Sequence, residues 1–372
     1  MSILPDPSSK LSKMWTKIKN IERSLFPELR EQLGILSSKE ERLIKILDFA
    51  QIENSVTVVK ITNPPKDREA MARAFVAKSV YNLQTTRDLI DRLRIDRTLR
   101  VLCGWRFPSQ IPSESKFSRV FKEFTQCKLA QKAHERFIES YLSDTLFFYS
   151  ANDSTAIPLR QKPEKKAKVQ PINLPLLQRQ KEMNETEEMI SLLCTRCSVG
   201  IKKNARGHRE KWIGGKLHLA VVDGDIPIVA IYTGASVHDS SVALPLMRET
   251  AQRVKTLYDL MDAAYDATII KEYSAALGHR PIVDINPRNS TKLKAQKELL
   301  EEEKKRFSWL DLPFSSDTHH YNQRSMVERV NAYLKDNFGC DRIYYQGADK
   351  VASVLAFGIL SICIHQSLKL VT

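Results

Sequence analysis

Leu146-Phe147-Phe148-Tyr149-Ser150-Ala151-Asn152-Asp153 is where this chain of 372 residues changes character. Before it, apolar residues recur at three- and four-residue spacings over 40–52, 72–93 and 117–129, the period of amphipathic helices. The stretch itself is aromatic-rich and β-prone, and it ends on a carboxylate. Downstream, 217–222 and 226–233 read as a hairpin closed by Asp223-Gly224-Asp225. A helix over 241–254, a strand over 256–262, a helix over 268–277 and a strand over 281–285 follow. A charged stretch, 292–306, then leads to a helix containing Glu328. Strands interleaved with crossover helices imply an α/β layered domain with a mixed sheet, behind an all-helical N-terminal part. Carboxylates at strand ends in such a sheet stand where ligands bind.

The length fits two or three units, and the expected division is a helical domain over 1–144 and an α/β domain over 145–372. The α/β part carries a basic insertion at about 160–212, in which Arg160, Lys162, Lys165, Lys166, Lys168 and Arg179 face only Glu164 up to residue 180. It reads either as a segment lying along a phosphate backbone or as a solvated loop. A formal charge of +14 and a pI near 9.4 favour a polyanionic partner such as nucleic acid. No basic start followed by an apolar run marks a signal peptide, and no membrane association is expected. The apolar run from Val351 to Ile364 is too short to span a bilayer and reads as a buried helix. Six irregularly spaced cysteines fit a reducing cytoplasm. Cys194-x-x-Cys197 lacks a second ligand pair, with only His208 at an awkward distance, so it does not read as a zinc site.

Tyr321, Arg324, Glu328 and Lys335 are spaced so that one continuous helix sets them along a single stripe. Val327, Val330, Leu334 and Phe338 form a separate apolar stripe beside it. The edge is either a solvated face with ion pairs one turn apart or a carboxylate among phosphate-binding cations. Asp153 ending the first strand and Asp262 ending the fourth add two acids from separate elements. Two divalent ions need such converging oxygen ligands, and a set without histidine favours Mg or Mn over zinc. Competing carboxylates have plainer readings: Asp223 and Asp225 as turn residues, Asp239 and Asp266 as helix caps. Asp284 carries low weight. His218 and His238 read as structural or DNA-proximal, and Trp212 and Trp309 as packing residues. Phe117, Phe121 and Phe124 read as one buried face of a core helix capped by Ser113 rather than as a DNA-recognition helix.

This order of elements and acids resembles the DDE transposases of bacterial insertion sequences over most of the chain beyond about residue 95. The signature Tyr-x2-Arg-x3-Glu-x6-Lys matches at Tyr321, Arg324, Glu328 and Lys335. Further similar stretches are Leu102-Cys103-Gly104-Trp105 with Ile111-Pro112 and Phe117-Ser118-Arg119, then Gly215-Lys216-Leu217-His218-Leu219, Val237-His238-Asp239-Ser240 and Asp262-Ala263-Ala264-Tyr265-Asp266. In the last, Asp-Ala-Ala-Tyr stands where the family often has a cation and a glycine, which keeps the acid but removes a local positive charge. The resemblance implies a ribonuclease-H-like catalytic domain in which Asp153, Asp262 and Glu328 bind two Mg or Mn ions. It implies that Tyr321, Arg324 and Lys335 contact phosphates at the element end, with Arg160, Lys162, Lys165 and Lys166 as further DNA contacts. Double-stranded DNA, as inverted-repeat ends and target, is the implied partner, and a homodimer on DNA the implied assembly. Cleavage and strand transfer in a prokaryotic cytoplasm is the implied activity. A ribonuclease-H-like nuclease and a catalytically silent DNA-binding relative are the alternatives.

Overall fold

The computed structural model describes residues 9–56, 67–164, 175–203, 208–286, 290–306 and 320–372. The first part is helical. Its helices are α1 (Lys10–Asn20), α2 (Phe26–Leu33), α3 (Ser38–Ala50), α4 (Arg68–Val80) and α5 (Thr86–Ile95). They are followed by α6 (Arg97–Cys103), α7 (Glu114–Gln126) and α8 (Leu129–Tyr141). The periodic run over 72–93 is two helices, not one. Asn82 takes a left-handed φ of 56°, and Thr85 with Asp88 builds a reciprocal capping box that restarts the helix. Phe117, Phe121 and Phe124 of α7 are buried around Phe75 of α4, so this helix is a core element. Ser113 occupies its N-cap position without a side-chain capping bond.

The sheet contains β1 (Leu146–Pro158), β2 (Ser198–Lys203), β3 (Arg209–Val222), β4 (Ile226–Gly234), β5 (Lys255–Met261) and β6 (Arg280–Val283). β4 and β1 flank β3 antiparallel, while β5 joins β1 in parallel and β6 joins β5 in parallel. This is the mixed sheet of the ribonuclease-H-like fold expected above. β2 was not expected. Its apolar residues Val199 and Ile201 are exposed, and it pairs only with the first half of β3, so its alternation carries no burial signal. Asp225 (φ 60°) and Gly224 (φ 80°) take the left-handed turn of the β3–β4 hairpin, as their sequence suggested.

Short α9 (Leu176–Glu182) and α10 (Thr186–Ser191), then α11 (Ala243–Arg253) and α12 (Thr268–Ala276), accompany the sheet. α13 (Thr291–Arg306), α14 (Ser325–Asn337) and α15 (Ala348–Val371) complete the chain. α14 packs on β1 and β3 through Val327, Val330 and Leu334, all fully buried, as the apolar stripe required. α15 is long and apolar enough to cross a membrane, yet 83% of its apolar window is buried inside the fold. It lies against β4 on one side and α8, α4, α3 and α7 on the other. Each of its fully buried Leu and Ile side chains contributes roughly 1.5–3 kcal/mol of burial free energy. His134 of α8 also reaches the sheet, its Nε2 standing 3.0 Å from the Pro227 carbonyl oxygen, and burial drops its pKa to about 3, which keeps it neutral.

Lys78 of α4 is buried between this helical layer and the Tyr345 ring, donating to the Gln84 carbonyl at 3.0 Å. Burial lowers its pKa from 10.5 to about 8. Below pH 8 the folded protein must hold a buried charge that the unfolded chain leaves in water, and that penalty fades as pH rises towards 10.5. Lys78→Met therefore raises stability at pH 7 by about 1–3 kcal/mol, and the gain shrinks between pH 8 and 10.5. Thermal melts of both proteins across that range check it; a variant that melts lower at pH 7 contradicts it.

Candidate active site

The site forms where β5 stops. The parallel pairing of β1 with β5 ends at Asn152 opposite Met261, and the next residue on each strand is an aspartate. Asp153 remains paired on its other side with Leu219, whereas Asp262 leaves the sheet. Its carboxylate accepts from the Ala264 N–H at 2.9 Å and caps the 3₁₀ turn Ala263–Tyr265. Two carboxyls thus emerge from adjacent parallel strands at one level.

Their electrostatics reflect that crowding. Burial pushes Asp153 up to about 7, with Asp262 and Asp239 adding to the rise and the Ser154 N–H and Arg324 opposing it. Burial raises Asp262 too, reinforced by Asp239 and Asp284 and opposed by the Ala264 N–H and Arg324. The site is short of positive charge, and Arg324 is the cation common to both acids.

Glu328 lies on α14, which crosses the face of β1 that carries Asp153. The predicted continuous helix is broken here: residues 320–322 form a separate turn, and α14 begins only after Arg324. Bonds from Arg324 N to Tyr321 O and from Val327 N to Arg324 O span three residues and reset the helix. Tyr321 therefore belongs to a different helical turn from Glu328, while its ring stacks under the Arg324 guanidinium at 5.7 Å and it stays within electrostatic reach of Asp262. Arg324 Nη2 donates to Glu328 Oε1 at 2.5 Å, and the Glu328 side chain is 54% exposed. Lys335 Nζ donates to Thr155 Oγ1 at 2.6 Å, on the same face of β1 and two residues past Asp153. That bond pins α14 to the strand.

Among the described residues, no group of three or more His, Cys, Asp or Glu is gathered closely enough to hold a metal ion. The donor chemistry nonetheless fits a hard divalent cation. Asp153, Asp262 and Glu328 offer only oxygen, and Asp153 sits where a nearby positive charge would favour its ionised form. In Glu328 one carboxylate oxygen, Oε1, is engaged by Arg324.

Several sequence expectations need correction. Asp239 does not cap a helix: His238 accepts from the Ser240 N–H, while Asp239 Oδ1 accepts from Ser154 Oγ at 2.8 Å and Lys216 Nζ at 2.9 Å. Burial alone would raise Asp239, but Lys216, His218 and Ser154 hold it below its usual range. Asp266 is no cap either. It pairs with Lys271 at 2.6 Å and accepts from the Asn286 N–H, leaving Ala267 at the cap position of α12. Asp223 does more than turn the hairpin, since its carboxylate accepts from the Phe148 and Tyr149 N–H groups and ties the turn to β1. Tyr265 was missed; it is fully buried, its hydroxyl has no hydrogen-bond partner among the described residues, and it lies within electrostatic reach of Asp153, Asp239 and Asp262. A period-two reading of β3 would have pointed to Lys216, which shares a face with His218.

The structural readings of His218 and Trp212 agree with their surroundings. His218 is buried against Thr233 Oγ1 at 2.8 Å, and burial lowers its pKa to about 4. Trp212 donates to the Gly215 carbonyl and covers Gly200. Cys194 is exposed and Cys197 buried, both as free thiols. In the basic insertion, Arg160 and Lys162 are exposed, with Arg160 stacked 5.0 Å over the Tyr344 ring. Lys165, Lys166 and Trp309 lie outside the described residues.

A family model described as "Transposase DDE domain" matches residues 150–364, from within β1 through the rest of the sheet to most of α15. A second, described as "Transposase domain (DUF772)", matches residues 28–123 of the helical part. No curated protein matches the chain. The first match alone covers more than half of the chain, and it contains both aspartates at the end of the β1–β5 pairing and the helix with Glu328. The chain belongs to the DDE transposases.

Proposed function

We propose that this transposase binds the terminal inverted repeats of its own element and moves it by DNA cleavage followed by strand transfer. The observation that carries this reading is the pair Asp153 and Asp262, which stand side by side where the parallel pairing of β1 with β5 ends, Asp153 within β1 and Asp262 just past β5. In the first step water attacks the phosphodiester at the element end and releases a 3′ hydroxyl. In the second that hydroxyl attacks target DNA and displaces a target 3′ oxygen. Asp153, Asp262 and Glu328 would hold divalent metal, Mg or Mn and two ions in our reading, which would supply positive charge at the scissile phosphate and lower the pKa of the attacking oxygen. The protein's own part is positioning. The sheet fixes the two aspartates, and the Lys335–Thr155 bond fixes the height of α14 over β1. Arg324 and Tyr321 at the start of α14 are set to receive the phosphate backbone, with Arg160 and Lys162 extending that basic track. The helical part over 1–144 supplies end recognition, and two chains hold the two ends.

Arg324→Ala or Lys335→Ala lowers affinity for the element end and reduces the salt dependence of binding by roughly one phosphate contact. Gel shifts across 50–200 mM salt, a span of about 10³–10⁵ in affinity for proteins with many contacts, read the slope; an unchanged slope argues against a phosphate contact. The Arg324–Glu328 pair favours one second reading, a DNA-binding relative that does not cut. A supercoiled plasmid carrying both element ends separates the two. Nicking at the ends with Mg, followed by joined products, supports the transposase; specific end binding with no nicking in Mg or Mn supports the silent relative.

A further inference from the structure

One residue beyond Asp153, three elements meet in a bonded relay that the three acids do not include. Ser154 follows Asp153 directly in β1, and its peptide N–H helps hold the Asp153 carboxyl down against burial. The Ser154 hydroxyl donates to Asp239 Oδ1 at 2.8 Å, from the opposite face of β1. Lys216 of β3 donates to the same oxygen at 2.9 Å and to the Val237 carbonyl at 3.0 Å. Neutral His218, two residues along β3, approaches that oxygen at 3.7 Å. The relay thus runs from Asp239, at the head of the 3₁₀ turn Asp239–Val242, directly to Ser154 next to Asp153 in β1, with Lys216 of β3 holding the same Asp239 oxygen from the side.

Its chemistry is asymmetric in an informative way. A bare fourth carboxylate beside Asp153 and Asp262 would add repulsion where charge is already crowded. Lys216 offsets part of that charge at short range and holds Asp239 as an acceptor, although Asp239 still raises Asp153 and Asp262. Ser154 can fill this role only because strand alternation turns its side chain away from Asp153 while its N–H stays beside the carboxylate. The hydroxyl is then held on one face and the carboxylate presented on the other.

We propose that Ser154, Asp239 and Lys216 are positioning residues that fix the Asp153 carboxylate for divalent-cation binding. The inference rests on the reading of Asp153 as a metal ligand, and its test distinguishes the two. Mn²⁺ is titrated into the full-length protein without DNA, and the rise in melting temperature gives the half-saturating concentration. The wild type, Asp153→Asn, Ser154→Ala, Ser154→Thr, Asp239→Asn and the Ser154→Ala/Asp239→Asn double variant are compared. Asp153→Asn is expected to lose the Mn²⁺ response. Ser154→Ala and Asp239→Asn each raise the half-saturating concentration about tenfold, within the 10–100-fold range typical of lost outer-shell partners. The double variant is no weaker than the poorer single one, because both cut the same relay, and Ser154→Thr restores wild-type titration. Melting temperatures in EDTA separate this from a general loss of stability. If Asp153→Asn titrates like the wild type, the metal reading fails. If Asp153→Asn loses the response while Ser154→Ala titrates like the wild type, the relay is overturned and the metal reading stands. Additive losses in the double variant also overturn the relay. Ser154→Ala removes one hydroxyl from a partly exposed strand position, so it keeps the test open even if Asp239→Asn, which strands the Lys216 charge, fails to fold.

Discussion

Asp153→Ala and Glu328→Ala each abolish Mg-dependent cleavage of the element ends, by a factor above about 10³, while end binding in a gel shift persists. A thousandfold loss corresponds to about 4 kcal/mol of transition-state stabilisation, a plausible scale for removing one anionic ligand from a two-ion phosphoryl-transfer site. The two variants are expected to behave alike for different structural reasons. Asp153 is built into the central strand and is crowded by other acids, so its removal empties the middle of the site. Glu328 is exposed and engaged by Arg324, so its removal leaves the fold untouched and frees a cation. Glu328→Ala therefore binds DNA ends at least as tightly as the wild type, whereas a passive surface glutamate would leave cleavage intact. If both variants still cut, the acids are wrongly assigned.

Gly214→Ala destabilises the protein by about 3–5 kcal/mol, the exceptional range for a single substitution. Gly214 is where β3 passes from pairing with β2 to pairing with β1. Its φ is +153°, and a Cβ there would stand 2.1 Å from the Ile157 carbonyl oxygen and 2.9 Å from the Leu159 nitrogen. Both are backbone atoms of the β1 end, so no side chain can move aside. Relief requires separating β1 from β3 a few residues past Asp153, so cation binding and cleavage fall together with stability. Gly278→Ala is the control. It too has a positive φ, +85°, but its Cβ would meet nothing within 4 Å, and its cost is about 1 kcal/mol. Melting temperatures of both variants decide the matter; equal losses would place the penalty in the backbone angle alone.

Much of this architecture was legible in the residues. The start of the first strand, the hairpin at Asp223-Gly224-Asp225 and the buried stripe of α14 follow from period and turn chemistry, because each is a local pattern with one dominant burial direction. The expected strand end at Asp153 is wrong, since β1 runs on to Pro158 in pairing with β3 and only its pairing with β5 stops there. The failures have equally local causes. No Gly or Pro marks the restart at Arg324, so periodicity alone ran Tyr321 into a helix it does not share. β2 shows its apolar residues to solvent, and burial patterns cannot report a strand that buries little. Asp239 resembled a cap because a carboxylate before a helix usually is one. Its true partners, Ser154 and Lys216, are distant in sequence and converge only through the β1–β3 register. A bonded relay across three elements leaves no trace in any one of them.

The shared wall formed by α15 bears on how such elements diversify. One side of this helix is fitted to β4 and the other to α8, α4, α3 and α7, so its sequence answers to two surfaces at once. An exchange of the helical part between related proteins cannot be a clean swap of the first 144 residues. The incoming helices would meet a foreign α15, with mismatched knobs and gaps along four interfaces. A working chimera would therefore carry α15 along with the helical part, or have the α15 surface rewritten to match it.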